Sequence, residues 1–144
     1  MATDPDPHRL LRFVQAQDEA GTYERALTEL RAGRKTGHWM WFVFPQMAGL
    51  GRSATAREYA IESLDEARAY LGHPVLGARL RECAAALLDV HDRDAREILG
   101  AVDAMKLRSS MTLFARAAPD ELLFQQVLDR YFDGHRDAAT ERLV

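Results

Sequence analysis

His38 and Lys106 are the two candidate catalytic residues of this chain. An imidazole titrates near neutral pH and can act as acid or base. Lys106 begins the run Lys106-Leu107-Arg108-Ser109-Ser110-Met111-Thr112 on a helix that is apolar on most sides. At about 100° per residue, Lys106 and Ser110 are neighbours, while Ser109 and Thr112 fall with Met105 and Arg116 on the other side. One reading directs Lys106 and a serine hydroxyl into a ligand pocket. The plainer one has the serines bond to backbone carbonyls and allow close helix packing. The order Lys-x-x-Ser-Ser is not the Ser-x-x-Lys of acyl-transferring serine enzymes, so no nucleophile is assigned.

His38 lies in a crowded segment, Gly37-His38-Trp39-Met40-Trp41-Phe42-Val43-Phe44-Pro45-Gln46, which holds both tryptophans. Arg34 and Lys35 precede it, and Gly49-Leu50-Gly51-Arg52-Ser53 follows. Trp39 and Trp41 can stack on a planar ring with a cation nearby, or pack the core. Arg34, Lys35, Arg52 and Lys106 can neutralise phosphate, and Gln46 or Gln17 can hydrogen-bond a ligand. The expected binding set is therefore Gln17, Arg34, Lys35, His38, Trp39, Trp41, Gln46, Arg52, Lys106, Ser109 and Ser110. The two-glycine turn before Ser53 falls short of a phosphate-loop signature.

Other chemistry is poorly supplied. The five histidines include no pair at i, i+4 and no HExxH pattern, so no metal site is expected. The single cysteine, Cys83, excludes an intrachain disulfide and sits on a periodic apolar face as packing. No cofactor is called for. The net charge of −3 argues against a dedicated nucleic-acid binder. Two lysines stand against seventeen arginines, which reads first as genomic base composition. No apolar run reaches the length of a membrane span, and the N-terminus has no signal-peptide pattern, so a cytoplasmic protein is expected.

The elements that must position these residues read as helices with short breaks. Residues 1–7 read as a flexible tail and residues 8–144 as one helical domain. Asp6-Pro7 predicts a cap and first turn. Leu10, Phe13 and Val14 share a face with Gln17, a polar residue that needs a partner there. Thr22 is expected to cap the next helix and Gly33 to stop it. His38–Phe44 is too short and too apolar for periodicity to decide; a short buried helix or turn is favoured, with an extended strand the alternative. Ser53 predicts a cap, Ser63-Leu64-Asp65-Glu66 a capping box, and Pro74 a helix start. Leu76, Leu80, Cys83, Leu87 and Val90 form a helical stripe. Asp103 to Ala117 predicts a central helix, Pro119 opens another, and Asp137 caps a last one. The fold class is all-α, a single compact domain of about seven to nine helices without a substantial sheet.

The run from Gly33 to Gln46 resembles the hallmark of a bacterial family called domain of unknown function 1810. The likeness continues through Phe13-Val14-x-Ala16-Gln17, Ser63-Leu64-Asp65-Glu66-Ala67, Tyr70-Leu71-x-His73-Pro74 and Lys106-Leu107-x-Ser109-Ser110-Met111. It covers about residues 9 to 133. One departure is Ala104, where relatives often carry an acid, and it weakens a carboxylate role just before Lys106. The resemblance implies a compact multihelical domain and no activity. A remoter likeness to helical families that process NAD or ADP-ribose is an analogy of fold, which does not fix function.

Two functions are expected from different classes. The first is a site for a small anionic, ring-containing molecule, such as a nucleotide or ADP-ribose derivative, with His38 as acid–base group if chemistry occurs. The second is a non-catalytic interaction or homodimerisation domain that uses the aromatic segment as an apolar patch.

Overall fold

The apolar stripes form ten α-helical segments among the described residues, 4–144 of a computed structural model. In chain order they are α1 (Leu11–Asp18), α2 (Thr22–Arg31), α3 (Met40–Val43), α4 (Ala54–Glu58), α5 (Leu64–Gly72), α6 (Leu76–Leu88), α7 (Ala95–Leu99), α8 (Ala101–Ala117), α9 (Leu122–Phe132) and α10 (Ala138–Leu143). A 3-10 turn, Glu19–Gly21, links α1 to α2. The only extended pairing among the described residues is one isolated bridge between Met47 and Ile61. The all-α expectation holds. Met1, Ala2 and Thr3, part of the expected tail, lie outside the described residues.

Side-chain caps set four of the helix starts. Ser53, Ser63, Asp94 and Asp137 each accept the N–H three residues on, at 3.0, 3.1, 2.8 and 3.1 Å. Other boundaries differ from expectation for identifiable reasons. Thr22 lies inside α2 and its hydroxyl donates back to the Glu19 carbonyl, while Gly21, at φ +70, is the cap residue. Asp6 does accept two backbone N–H groups, from Leu10 and Leu11, but a turn intervenes and Arg9 takes a positive φ. These bonds anchor the end of the expected tail. Pro119 precedes its helix by a turn, and the Glu121 carboxylate at the α9 start pairs with Arg81. The His73 ring, rather than Pro74, organises the α6 start: its Nδ1 accepts from Val75 and Leu76. Only half of the box at Ser63 forms, because Glu66 turns inward to Arg12 and the Glu62 N–H.

The core is built around α8, which packs against α5, α7, α9 and α10. A run of aromatic contacts crosses it. Phe13 meets Tyr70 at 5.2 Å between centroids, Tyr70 meets Phe114 at 5.4 Å, and Phe114 meets Phe124 at 5.8 Å. Side chains from α1, α5, α8 and α9 are thus joined without a gap. Gly77 allows α6 to approach the end of α5: a Cβ there would lie 2.1 Å from the Leu71 carbonyl oxygen. Met105, part of a helix expected to be central and apolar on most sides, is instead 72% exposed.

Arg12 ties the N-terminal arm to the α4–α5 connection. Its guanidinium donates to the carbonyls of His8, Arg9, Glu58 and Ala60 and to the buried Glu66 carboxylate. Replacing it with alanine leaves that carboxylate without its cation and takes a side-chain donor from several carbonyls. Arg12→Ala is expected to cost about 3–5 kcal/mol in urea unfolding. Burial pushes the Cys83 thiol up to about 12, with the neighbouring Glu82 charge adding to the effect. The expected outcome is no reaction of the native protein with a disulfide reagent at pH 8, and full reaction in denaturant.

Candidate functional site

The aromatic segment is held between two polar anchors, the half-buried Glu29 and the buried Gln17. Gly33, at φ +72, ends α2: its own N–H bonds to the Leu30 carbonyl, and the Arg34 N–H reaches back to that of Glu29. The Lys35 N–H then bonds to the Ile98 carbonyl at 2.7 Å and fixes the linker against α7. One oxygen of the Glu29 carboxylate collects the N–H groups of Thr36, Gly37 and the Trp39 indole at 2.7, 2.8 and 2.9 Å. Burial opposes ionisation of Glu29, but these donors outweigh it and hold its carboxyl below the usual range.

Gln17 anchors the other end. Its Nε2 donates to the Phe42 carbonyl at 2.6 Å and to the Tyr70 hydroxyl at 3.1 Å. Its Oε1 accepts from Arg79 at 3.2 Å. The partner that Gln17 needs is therefore internal, and the side chain is 1% exposed. Between the anchors, Met40–Val43 forms a single helical turn, and Phe44 leaves the helix ahead of Pro45.

Both lysines of the chain converge on one carboxylate. Lys35 Nζ lies 2.8 Å from Asp103 Oδ2, and Lys106 Nζ lies 3.5 Å from Asp103 Oδ1. Each ammonium also faces a tryptophan. Lys35 is 5.1 Å from the Trp39 ring centre and Lys106 4.5 Å from that of Trp41. Lys35 further donates to the Gly37 carbonyl. One turn beyond Lys106, Ser110 Oγ is buried with no hydrogen-bond partner among the described residues. Buried hydroxyls are usually satisfied, so this one is an exception at the predicted site. Two ammoniums share a single carboxylate, so the cluster carries one positive charge in excess.

The structure brings together Lys35, Lys106, Trp39, Trp41 and Ser110 of the sequence-predicted set. Trp39 is sealed at 2% exposure, whereas Trp41 is half-buried. Arg34, His38 and Arg52 are exposed, and neither arginine makes an ion pair among the described residues. Gln46 is half-buried, and its carbonyl accepts the Ile61 N–H at 2.8 Å. Ser109 follows the plainer reading: its hydroxyl donates to the Met105 carbonyl and to Asp137. Sequence reasoning missed Asp103 and Glu29. The signal for Asp103 was its i, i+3 spacing from Lys106. Glu29 carried none, because its donors come from a loop whose path periodicity cannot give. Cavities lie elsewhere, among them one of about 280 Å³ beside Arg12 and Glu66 and one of about 600 Å³ between α7, α8 and α9. Neither is lined by the predicted set.

Residues 7–144 match the family described as "Protein of unknown function (DUF1810)". The chain belongs to this family. It is also similar to a solved structure, the conserved hypothetical protein Rv1873 from Mycobacterium tuberculosis. That match has a TM-score of 0.93 and 52% identity, over 96% of this chain and 98% of the other. No curated protein matches. The match to this DUF1810 chain runs from the N-terminal arm to α10, so the lysine cluster lies within it. Among the described residues no helix is long and apolar enough to cross a membrane, and no group of three or more acidic, histidine or cysteine residues could hold a metal.

Glu29 supplies a prediction with a defined sign. Its folded carboxyl titrates below the ordinary value of 4.5, so its stabilisation is present above that value and lost as pH falls through the folded one. Glu29→Gln is expected to cost about 2 kcal/mol at pH 7. The gap from wild type is expected to narrow as pH drops below 4.5, read by tryptophan fluorescence in urea.

Proposed function

We propose that the cluster of Lys35, Asp103 and Lys106, with Trp41 beside it, binds a small anionic, ring-containing molecule of the nucleotide or ADP-ribose type. The observation that carries this reading is the convergence of the chain's two lysines on one carboxylate, one helical turn from a buried hydroxyl that has no partner among the described residues. Lysine presents a compact charge with three rotatable donors, which suits a phosphate oxygen. The Lys106–Asp103 separation of 3.5 Å is long for a charge-assisted hydrogen bond. Phosphate competes for that ammonium. When Lys106 moves onto it, the Trp41 face is left to the ligand ring. Exposed Arg34 adds charge, and exposed His38 is the acid–base candidate if turnover follows.

The competing reading, an interaction or homodimerisation domain, has less apolar surface to use. Trp39, Met40, Val43 and Phe44 are each at most 2% exposed, which leaves Trp41 and Phe42 as the half-buried aromatics of the segment.

A thermal-shift series with ADP-ribose, NAD, ADP and pyrophosphate tests the proposal. At a concentration of 100 times Kd, a bound ligand adds about 2.7 kcal/mol of stability. Lys106→Met and Ser110→Ala are expected to remove most of that shift while remaining folded by circular dichroism. No shift with any of these compounds, or a shift that Lys35→Met and Lys106→Met leave intact, ends the proposal.

A further inference from the structure

The cavity of about 600 Å³ lies on the side of α8 opposite the lysine cluster. Ala101, Ala104, Met105 and Arg108 line it at i, i+3, i+4 and i+7, whereas Asp103, Lys106 and Ser110 point the other way. α7 supplies Ala95 and Arg96, and α9 supplies Tyr131 and Phe132. Its volume falls inside the range of roughly 300–1,000 Å³ typical of small-molecule sites. The smaller cavity beside Arg12 falls short of that range, and the Arg12 guanidinium there is already engaged by carbonyls and Glu66.

We infer that this second cavity binds a flat aromatic monocarboxylate. Its walls are apolar and aromatic. Alanines at 101 and 104 leave the space, Met105 stands 72% exposed at the edge, and Phe132 is half-buried. Tyr131 donates its hydroxyl inward to the Leu87 carbonyl, so it offers the cavity a ring rather than a polar group. A thioether and two aromatic rings are suitable neighbours for a planar apolar body.

Charge selects the head group. Arg108 is fixed by donating Nε to the His135 carbonyl at 2.8 Å and Nη2 to the Arg136 carbonyl at 2.9 Å. Its Nη1 makes no hydrogen bond among the described residues, so the guanidinium keeps donors to spare while lining the cavity. Arg96 is exposed and makes no ion pair there, so it is free to close on a bound anion. The one acid of the lining, Asp94, accepts the Glu97 N–H and forms the α7 capping box. The lining therefore carries a net charge of one positive unit, which a monocarboxylate balances and a phosphate dianion exceeds.

Isothermal titration calorimetry with 2-naphthoate and its neutral analogue 2-naphthamide tests this. Saturable 2-naphthoate binding is expected, with 2-naphthamide weaker by at least about tenfold because it forms no charge-assisted bond. Arg96→Glu and Ala101→Trp change exposed positions and keep the fold. The first reverses the charge and the second fills the space, and each is expected to weaken 2-naphthoate at least about tenfold. Lys106→Met is expected to leave it unchanged, which separates this site from the lysine cluster. The inference is overturned if 2-naphthoate fails to saturate at millimolar concentration, if 2-naphthamide binds equally well, or if binding survives both Arg96→Glu and Ala101→Trp. Loss of 2-naphthoate binding in Lys106→Met would also overturn it, by moving the anion to the other face of α8.

Discussion

A one-turn helix cannot satisfy its own backbone, and the arrangement of this chain's candidate site depends on that constraint. Residues 34–46 pass from the surface into the core as linker, single turn and bend, so the N–H and C=O groups they bury need partners from outside. Glu29 supplies the acceptor at one end and Gln17 the donor at the other. Both are polar side chains on helices that otherwise bury apolar stripes. Because α1 and α2 are rigid, the segment is held in one path, and Trp39 and Trp41 are directed to different environments. Trp39 goes inward with its indole N–H on Glu29, and Trp41 stays at the boundary where Lys106 covers it.

The second determinant is α8. A helix with ten of seventeen residues buried has few positions left for polar groups, so each that occurs is placed by its surroundings. Ser109 and Thr112 face α10 and join it through Asp137. Asp103 and Lys106 face the α2–α3 connection and meet Lys35. Ala101, Ala104, Met105 and Arg108 line the cavity towards α7 and α9. One helix therefore separates a cationic cluster from an apolar, arginine-edged cavity. Its rigidity keeps the two apart, because α8 is gripped by four other helices.

Much of this architecture is legible in the chain itself. The Leu76–Val90 stripe, the caps at Ser53 and Asp137, and the Gly33 stop are local rules applied to local residues, and they hold. The misplacements are local rules overridden by contacts distant in sequence. Glu66 has the spacing for a capping box, but Arg12 draws it inward. Pro74 and Pro119 mark helix entry within two or three residues, while the His73 ring and the Glu121–Arg81 pair set the starts. Met105 completes an apolar pattern yet stands in solvent, because the neighbouring helices leave a cavity at that point.

By itself the sequence determined the fold class, many of the helix boundaries and the exclusion of an intrachain disulfide, and it nominated the aromatic segment and Lys106 as a candidate site. Periodicity, capping and cysteine count act over a few residues or need no geometry, so they can be read from a string. Only the tertiary structure decided that Lys35 and Lys106 share Asp103, that Gln17 belongs to the interior, and that Ser110 has no partner among the described residues. It alone showed a cavity behind Arg108. Those facts depend on the relative placement of helices, which the summed burial of many side chains sets and no short-range rule contains.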